Sequence, residues 1–168
     1  ANLKWAMAGR SKDKLATVRD AIGAPADTPL IVADAGDPAS LKAMVAQTRA
    51  VITTVGPYQF YGNDVLAACV EAGVDYFDLC GEPLWMRQMI DKHEAAAKAS
   101  GARIVFSCGF DSVPFELGAL FVQEEARRVF GAPASRVRGR VRDMRGTLSG
   151  GTAASAKATF DAVAKDLS

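Results

Sequence analysis

The chain has 168 residues, 49% of them hydrophobic and 23% charged, and its 20 basic residues nearly cancel its 19 acidic ones, leaving a formal charge of +1. That length holds one ordinary domain, or one domain and the start of a second, with enough apolar side chain for a sizeable core. No basic stripe is present to meet a phosphate backbone, so nucleic acid is not an expected partner, and no apolar run approaches the roughly 18 residues of a membrane span.

Along the chain, short apolar runs alternate with stretches of helical spacing. Leu3 to Ala8 reads as a strand and Ser11 to Ile22 as a helix stopped by Gly23. Pro29 to Ala33 is an expected strand, and Asp37 to Thr48 a helix with Asp37 as N-cap and Pro38 in its first turn. The next strand, Ala50 to Val55, runs into a Gly-Pro-Tyr loop, followed by a helix over Asn63 to Ala72. Asp75 to Leu79, Pro83 to Ser100, Arg103 to Ser107 and Ser112 to Phe130 continue the strand and helix alternation, with Gly73, Gly101 and Gly131 as helix stops. Such alternation predicts an α/β fold with a mostly parallel sheet and helices on both faces. Past a boundary near Ala132 to Ser135 the pattern changes. Arg136 to Arg145 alternates apolar and basic residues with period two, as a half-exposed antiparallel strand would. A glycine turn at Ser149-Gly-Gly-Thr then leads into an Ala-rich helix ending near Leu167.

Cys69, Cys80 and Cys108 show no metal or redox spacing, and their odd number argues against a disulfide framework. Reduced thiols in a cytoplasmic protein are expected, with no metal site. His93, the sole histidine, sits in a polar Asp-Lys-His-Glu run and is expected to be solvated.

In open parallel sheets ligands bind beyond the carboxyl ends of the strands. Those ends carry Gly9-Arg10-Ser11 with Lys14 one turn on, then Asp34, Gly56-Pro57-Tyr58, Cys80-Gly81-Glu82 and Cys108-Gly109-Phe110-Asp111-Ser112. Glycines beside polar or aromatic residues allow close backbone approach to a flat ligand. A dinucleotide fold that prefers NADP to NAD places an arginine where the adenosine 2′-phosphate lies, and Arg10 stands at such a strand end. The other reading of Arg10 and Lys14 is a solvated pair at a sheet edge. A glycine-rich diphosphate loop is not evident. Ser149 to Thr152 lacks the spacing, while Pro57 has no N–H to offer and the aromatics Tyr58, Phe60 and Tyr61 would crowd a diphosphate. The Gly56 to Gly62 loop better suits a ribose or nicotinamide wall.

Taken together, Ala8-Gly-Arg-Ser-Lys-Asp-Lys-Leu, Val55-Gly-Pro-Tyr-Gln-Phe-Tyr-Gly, Asp78-Leu-Cys-Gly-Glu-Pro, Cys108-Gly-Phe-Asp-Ser-Val-Pro and Ser149-Gly-Gly-Thr resemble the saccharopine dehydrogenase-like oxidoreductases, including their trans-acting enoyl reductase subgroup. The resemblance implies an NADP-binding Rossmann domain, with NAD possible, and a second mixed-sheet domain that closes over the nicotinamide and mediates homodimerisation. It implies that Ala1 lies some way into such a protein, after a first strand and its glycine loop. The chain is then an internal fragment, with residues 1–131 a partial Rossmann domain and 132–168 the start of the second domain. The strands at Leu3 and Ala50 would then pair directly or take in an element from another copy. Carried over, Arg10, Ser11 and Lys14 would meet the 2′-phosphate and Asp34 would lie near the adenine. Val55, Gly56, Pro57, Tyr58, Gly81 and Glu82 would line the ribose and nicotinamide, and Gly109, Phe110, Asp111 and Ser112 would face the interdomain cleft. Reduction of an imine or enoyl group of a small-molecule substrate also needs a proton donor. Asp111 is the candidate catalytic residue, with Glu82, Tyr58 and Tyr61 in reach; capping the helix before Pro114 is the competing role for Asp111. A non-catalytic binding or dimerisation module is the alternative function.

Overall fold

The computed structural model describes residues 3–147 and 150–166; the turn residue Ser149 and the expected last helical residue Leu167 lie outside those described. Strand and helix alternate as the period predicts: β1 (Met7–Gly9), α1 (Lys12–Ala21), β2 (Leu30–Val32), α2 (Pro38–Val45), β3 (Ala50–Thr53), the single turn α3 (Tyr58–Tyr61), α4 (Asn63–Ala72), β4 (Asp75–Asp78), α5 (Pro83–Ser100), β5 (Ile104–Val105), α6 (Val113–Phe130) and α7 (Gly150–Asp166). Helix ends fall where local chemistry puts them. Asp37 accepts a hydrogen bond from the Ala39 amide at 3.0 Å to start α2. Gly73 and Gly101 close α4 and α5 at φ of 68° and 82°, a backbone state that costs least without a Cβ.

All strand pairs are parallel, in two sheets: β1 with β2, and β3–β4–β5 in that order. β1 and β3 do not pair with each other, so the direct pairing considered from the sequence is not formed among the described residues. β1 is also shorter than the Leu3 to Ala8 run, because its ladder extends only from Met7↔Leu30 to Gly9↔Val32.

Helices lie on both faces of the β1–β2 pair. Ile31, opposite Ala8, packs against the buried core, whereas Gly9, one residue on and so on the other face, is met by Leu15 of α1. The core sits on the first face. There α4 packs between α2 and α5, burying Leu41, Val45, Leu66, Cys69, Tyr76 and Trp85. The opposite face of the three-stranded sheet is bare, with Ile52 78% exposed and Leu79 and Val105 also open.

The expected antiparallel strand at Arg136 to Arg145 does not form; those residues have no regular structure, and Val137, Val141 and Met144 are exposed. A period of two suits a strand but does not make one. Without a neighbouring strand its N–H and C=O groups do better in water. Just before it, the Gln123 side chain of α6 donates to the Ala134 carbonyl and accepts from the Ala134 amide, tying the turn after α6 back onto that helix.

Candidate functional site

An open groove of about 410 Å³ lies at the carboxyl end of β1, lined by Gly9, Arg10, Ser11, Lys14, Leu15 and Val18. Its position follows from the strand-to-helix turn. Ser11 is the N-cap of α1 and its Oγ accepts from the Lys14 amide at 3.3 Å, which starts the helix immediately after Arg10. Lys14 and Val18, four residues apart, therefore rise on the same helix face, one cationic and one apolar. Gly9 lets Leu15 come close, since a Cβ there would meet Leu15 Cδ2 at 3.3 Å. Asp34 follows β2 at the same end of the ladder but is not among the lining residues; its Oδ1 accepts from the Gly36 amide at 2.9 Å in a tight turn.

The Val55 to Tyr58 loop is built differently from a phosphate cradle. Glu82, 2% exposed, directs its carboxylate at the start of α3: Oε1 accepts from the Tyr58 amide and Oε2 from the Gln59 amide, both at 2.9 Å. Oε1 also accepts from Ser155 Oγ of α7 at 2.8 Å. That carboxylate takes the place of an N-cap and explains a helical turn where the sequence suggested only a loop. The Tyr58 ring is buried against Trp85, and its hydroxyl donates to the Thr53 carbonyl at 3.2 Å and accepts from the Leu79 amide at 3.4 Å. Burial pushes that phenol up to about 12. Pro57 and Tyr58 are thus both buried, while Val55 and Gly81 are exposed and Gly56 is half-buried.

A second buried carboxylate, overlooked in the sequence, ties the neighbouring strand ends together. Asp78 Oδ1 accepts from the Cys80 amide at 3.0 Å and the Ser107 amide at 2.9 Å, and Oδ2 accepts from the Tyr76 hydroxyl at 2.9 Å. Ser107 is held at φ 57°, an unusual state for a residue with a side chain, and its hydroxyl donates to the Cys80 carbonyl at 2.7 Å. Burial raises the Asp78 carboxyl above the ordinary range. Beyond β5, Phe110 and Asp111 are exposed and Gly109 is half-buried. The N-cap position of α6 belongs to Ser112, not Asp111, so the competing structural role expected for Asp111 is not the one it has. A Cβ on Gly109 would stand 3.2 Å from Asp111 Oδ1.

The histidine and the cysteines either differ from expectation or extend it. His93 is half-buried rather than solvated; its Nε2 is enclosed without a hydrogen-bond partner, and desolvation lowers its pKa. Cys69, Cys80 and Cys108 are free thiols, the first two buried. Burial raises Cys69 and Cys80 to about 12, which at pH 8 leaves a thiolate fraction of about 10⁻⁴. A thiol–disulfide reagent at pH 8 should therefore modify Cys108 first, with Cys69 and Cys80 at least ~100-fold slower; three equal rates would contradict this packing. Because unfolded thiols release their protons first, these shifts also cost stability as pH rises from the ordinary thiol range toward 12.

These residues fit one end of a dinucleotide better than the other. Two cations beside an apolar wall suit an adenosine bearing a phosphate. The Tyr58 and Gln59 amides are already bonded to Glu82, and Pro57 has no N–H, so the first turn of α3 offers a diphosphate none of these three positions as a donor. Among the described residues no cluster of His, Cys, Asp and Glu could hold a metal ion, and no helix is long and apolar enough to cross a membrane.

The chain has relatives among known proteins, in sequence and in fold. The chain is 46% identical over 151 residues to a Mycobacterium tuberculosis protein provisionally named trans-acting enoyl reductase, covering 89% of this chain and 36% of that protein. It is 52% identical over 113 residues to the trans-acting enoyl reductase of Mycobacterium leprae, covering 67% of this chain and 27% of the relative. The chain thus spans about a third or less of the length of these curated relatives. Its fold matches apo histidine-tagged saccharopine dehydrogenase (L-Glu forming) from Saccharomyces cerevisiae with a TM-score of 0.60 at 16% identity, over 77% of this chain and 27% of that one. Residues 1–105, from before β1 through β5, fit the sequence pattern of the saccharopine dehydrogenase NADP binding domain. The match covers more than half of the sequence and takes in all five strands, so the chain belongs to the saccharopine dehydrogenase NADP-binding domain family.

Proposed function

We propose that this chain forms part of the cofactor site of an NADP-dependent oxidoreductase that reduces an enoyl group of a small-molecule substrate. The observation that carries the reading is the groove in which Arg10, Ser11 and Lys14 stand beside Leu15 and Val18. There the two cations would hold the adenosine 2′-phosphate, the Ser11 hydroxyl would add a donor, and Asp34 would approach the adenine. Val55, Gly56, Pro57, the Tyr58 backbone, Gly81, Gly109 and Phe110 would border the nicotinamide ribose and ring. The enoyl reading is favoured over an imine by the names of the relatives at 46% and 52% identity.

The cofactor supplies the hydride when bound. The chain's own task is to orient it, exclude water and deliver a proton. The Tyr58 phenol is occupied inside the core and the Glu82 carboxylate accepts three hydrogen bonds, which leaves Asp111 and Tyr61 as exposed donors on this side. We assign the proton to Asp111.

In this reading, residues 1–131 belong to the cofactor domain and 132–168 begin the substrate domain of a longer protein. The free edges of β1 and β3 suit a parallel strand laid between them, followed by a diphosphate-binding glycine loop and a helix over the bare face at Ile52. Dimerisation would use α6, whose Leu117, Leu120 and Phe121 are exposed. Three free thiols suit a reducing cytoplasm.

The test uses the full-length parent. NADPH should bind more tightly than NADH in a fluorescence titration, and Asp111→Asn should lower kcat by roughly 10²-fold without changing NADPH affinity. Binding of neither nucleotide would favour a non-catalytic module instead. An Asp111→Asn protein with full kcat would remove the proton assignment alone.

A further inference from the structure

Glu82 is buried at the meeting point of three segments far apart in sequence. It leaves β4 just before α5, receives the Tyr58 and Gln59 amides at 2.9 Å, and receives Ser155 Oγ of α7 at 2.8 Å. Ser155 also lies over the loop itself, its Oγ 3.6 Å from where a Cβ on Gly56 would stand. Ala158, one turn on along α7, is buried, so the helix is seated here rather than touching by one hydroxyl. Both oxygens of the Glu82 carboxylate are engaged by donors of the protein and face protein rather than solvent.

We propose that Glu82 is a positioning residue, and that its bond to Ser155 couples the seating of α7 to the conformation of the Gly56-Pro57-Tyr58 loop. Oε1 is shared between the Tyr58 amide and the Ser155 hydroxyl, so displacing α7 frees the carboxylate to rotate and loosens the first turn of α3. The consequence for function rests on the reading of this loop as the nicotinamide border: movement of α7, in the segment beyond α6, would then tune nicotinamide binding while leaving the adenosine groove untouched. The groove residues are on β1 and α1, and none of them bonds to Glu82.

The experiment measures hydrogen–deuterium exchange of the Tyr58 and Gln59 amides in the full-length parent, together with the Kd of NADPH and of 2′,5′-ADP. Ser155→Ala should speed exchange at both amides by about three-fold and weaken NADPH by a similar factor, with 2′,5′-ADP unchanged. Ser155→Thr should restore both, and Glu82→Gln should give a larger effect, about ten-fold. Unchanged exchange in Ser155→Ala overturns the coupling, as does equal weakening of 2′,5′-ADP and NADPH, which would mark a general loss of stability. If the unmodified protein binds neither ligand, the cofactor reading fails, while the exchange comparison still decides the coupling.

Discussion

Asp78→Ala should destabilise the domain by about 3–5 kcal/mol, because three donors lose a buried acceptor together. Asp78 is 1% exposed, and the Tyr76 hydroxyl, the Cys80 amide and the Ser107 amide all converge on it. Each stranded polar group costs about 1–3 kcal/mol, and the loss also releases Ser107 from its left-handed conformation. Urea melts of the full-length protein would show the midpoint fall; a change below about 1 kcal/mol would mean that water enters and replaces the carboxylate. Asp78→Asn keeps an acceptor for the two amides and should cost about 1–2 kcal/mol. The pH dependence carries a signature of its own. With its folded pKa raised, Asp78 keeps a proton that the unfolded chain has released, so its contribution is full below the ordinary carboxylate range and is lost as pH rises through the raised value. Asn should abolish that slope. Asp75, lowered by its hydrogen bonds and ion pair with Arg103, works in the opposite window: its contribution is present above the ordinary carboxylate range and lost as pH falls through the depressed pKa.

The contrast between Asp78 and the residues read correctly from sequence has a physical basis. Alternation of strand and helix, the Asp37 cap and the glycine stops are local: each depends on residues within a turn or two, and the sequence states them directly. What Glu82 and Asp78 do depends on donors supplied from far along the chain. Tyr58 reaches Glu82 across 24 residues and Ser155 reaches it across 73, separations that no periodicity records. Glu82, just after a strand, therefore read as a cofactor-lining residue and a proton donor in reach when it is an internal anchor. Some signal was present. Asp78 shares the buried face of its strand with Tyr76 and stands opposite Thr53, where an unpaired charge would be costly. His93 follows Met89 by four residues and precedes Ala97 by four, which puts it on the buried stripe of α5 despite its polar neighbours. The basic alternation at Arg136 to Arg145 shows the reverse limit: a strand pattern without a strand to pair with stays unpaired.

The adenosine groove, in contrast, is local, and for that reason a single substitution there should separate the two nicotinamide cofactors sharply. Arg10→Glu should weaken NADPH by roughly 10²-fold and leave NADH within about two-fold. The magnitude follows from losing a charge-assisted contact worth about 1.5–3 kcal/mol and placing a carboxylate against a phosphate dianion. Lys14→Glu should have a smaller effect, roughly ten-fold, since an ammonium on a flexible stem meets phosphate as a point charge whereas a guanidinium can bind it through two donors. Both effects should shrink as salt is raised, because the groove is open and its charges are screened over about 8–10 Å. Ser11→Ala is a poorer probe of the phosphate: Ser11 also caps α1 through the Lys14 amide, so its loss would disturb the helix that carries Lys14. The selectivity between the two nucleotides is thus the decisive quantity. If Arg10→Glu weakened NADH as much as NADPH, the groove would hold a part of the cofactor common to both, and the 2′-phosphate assignment would be withdrawn.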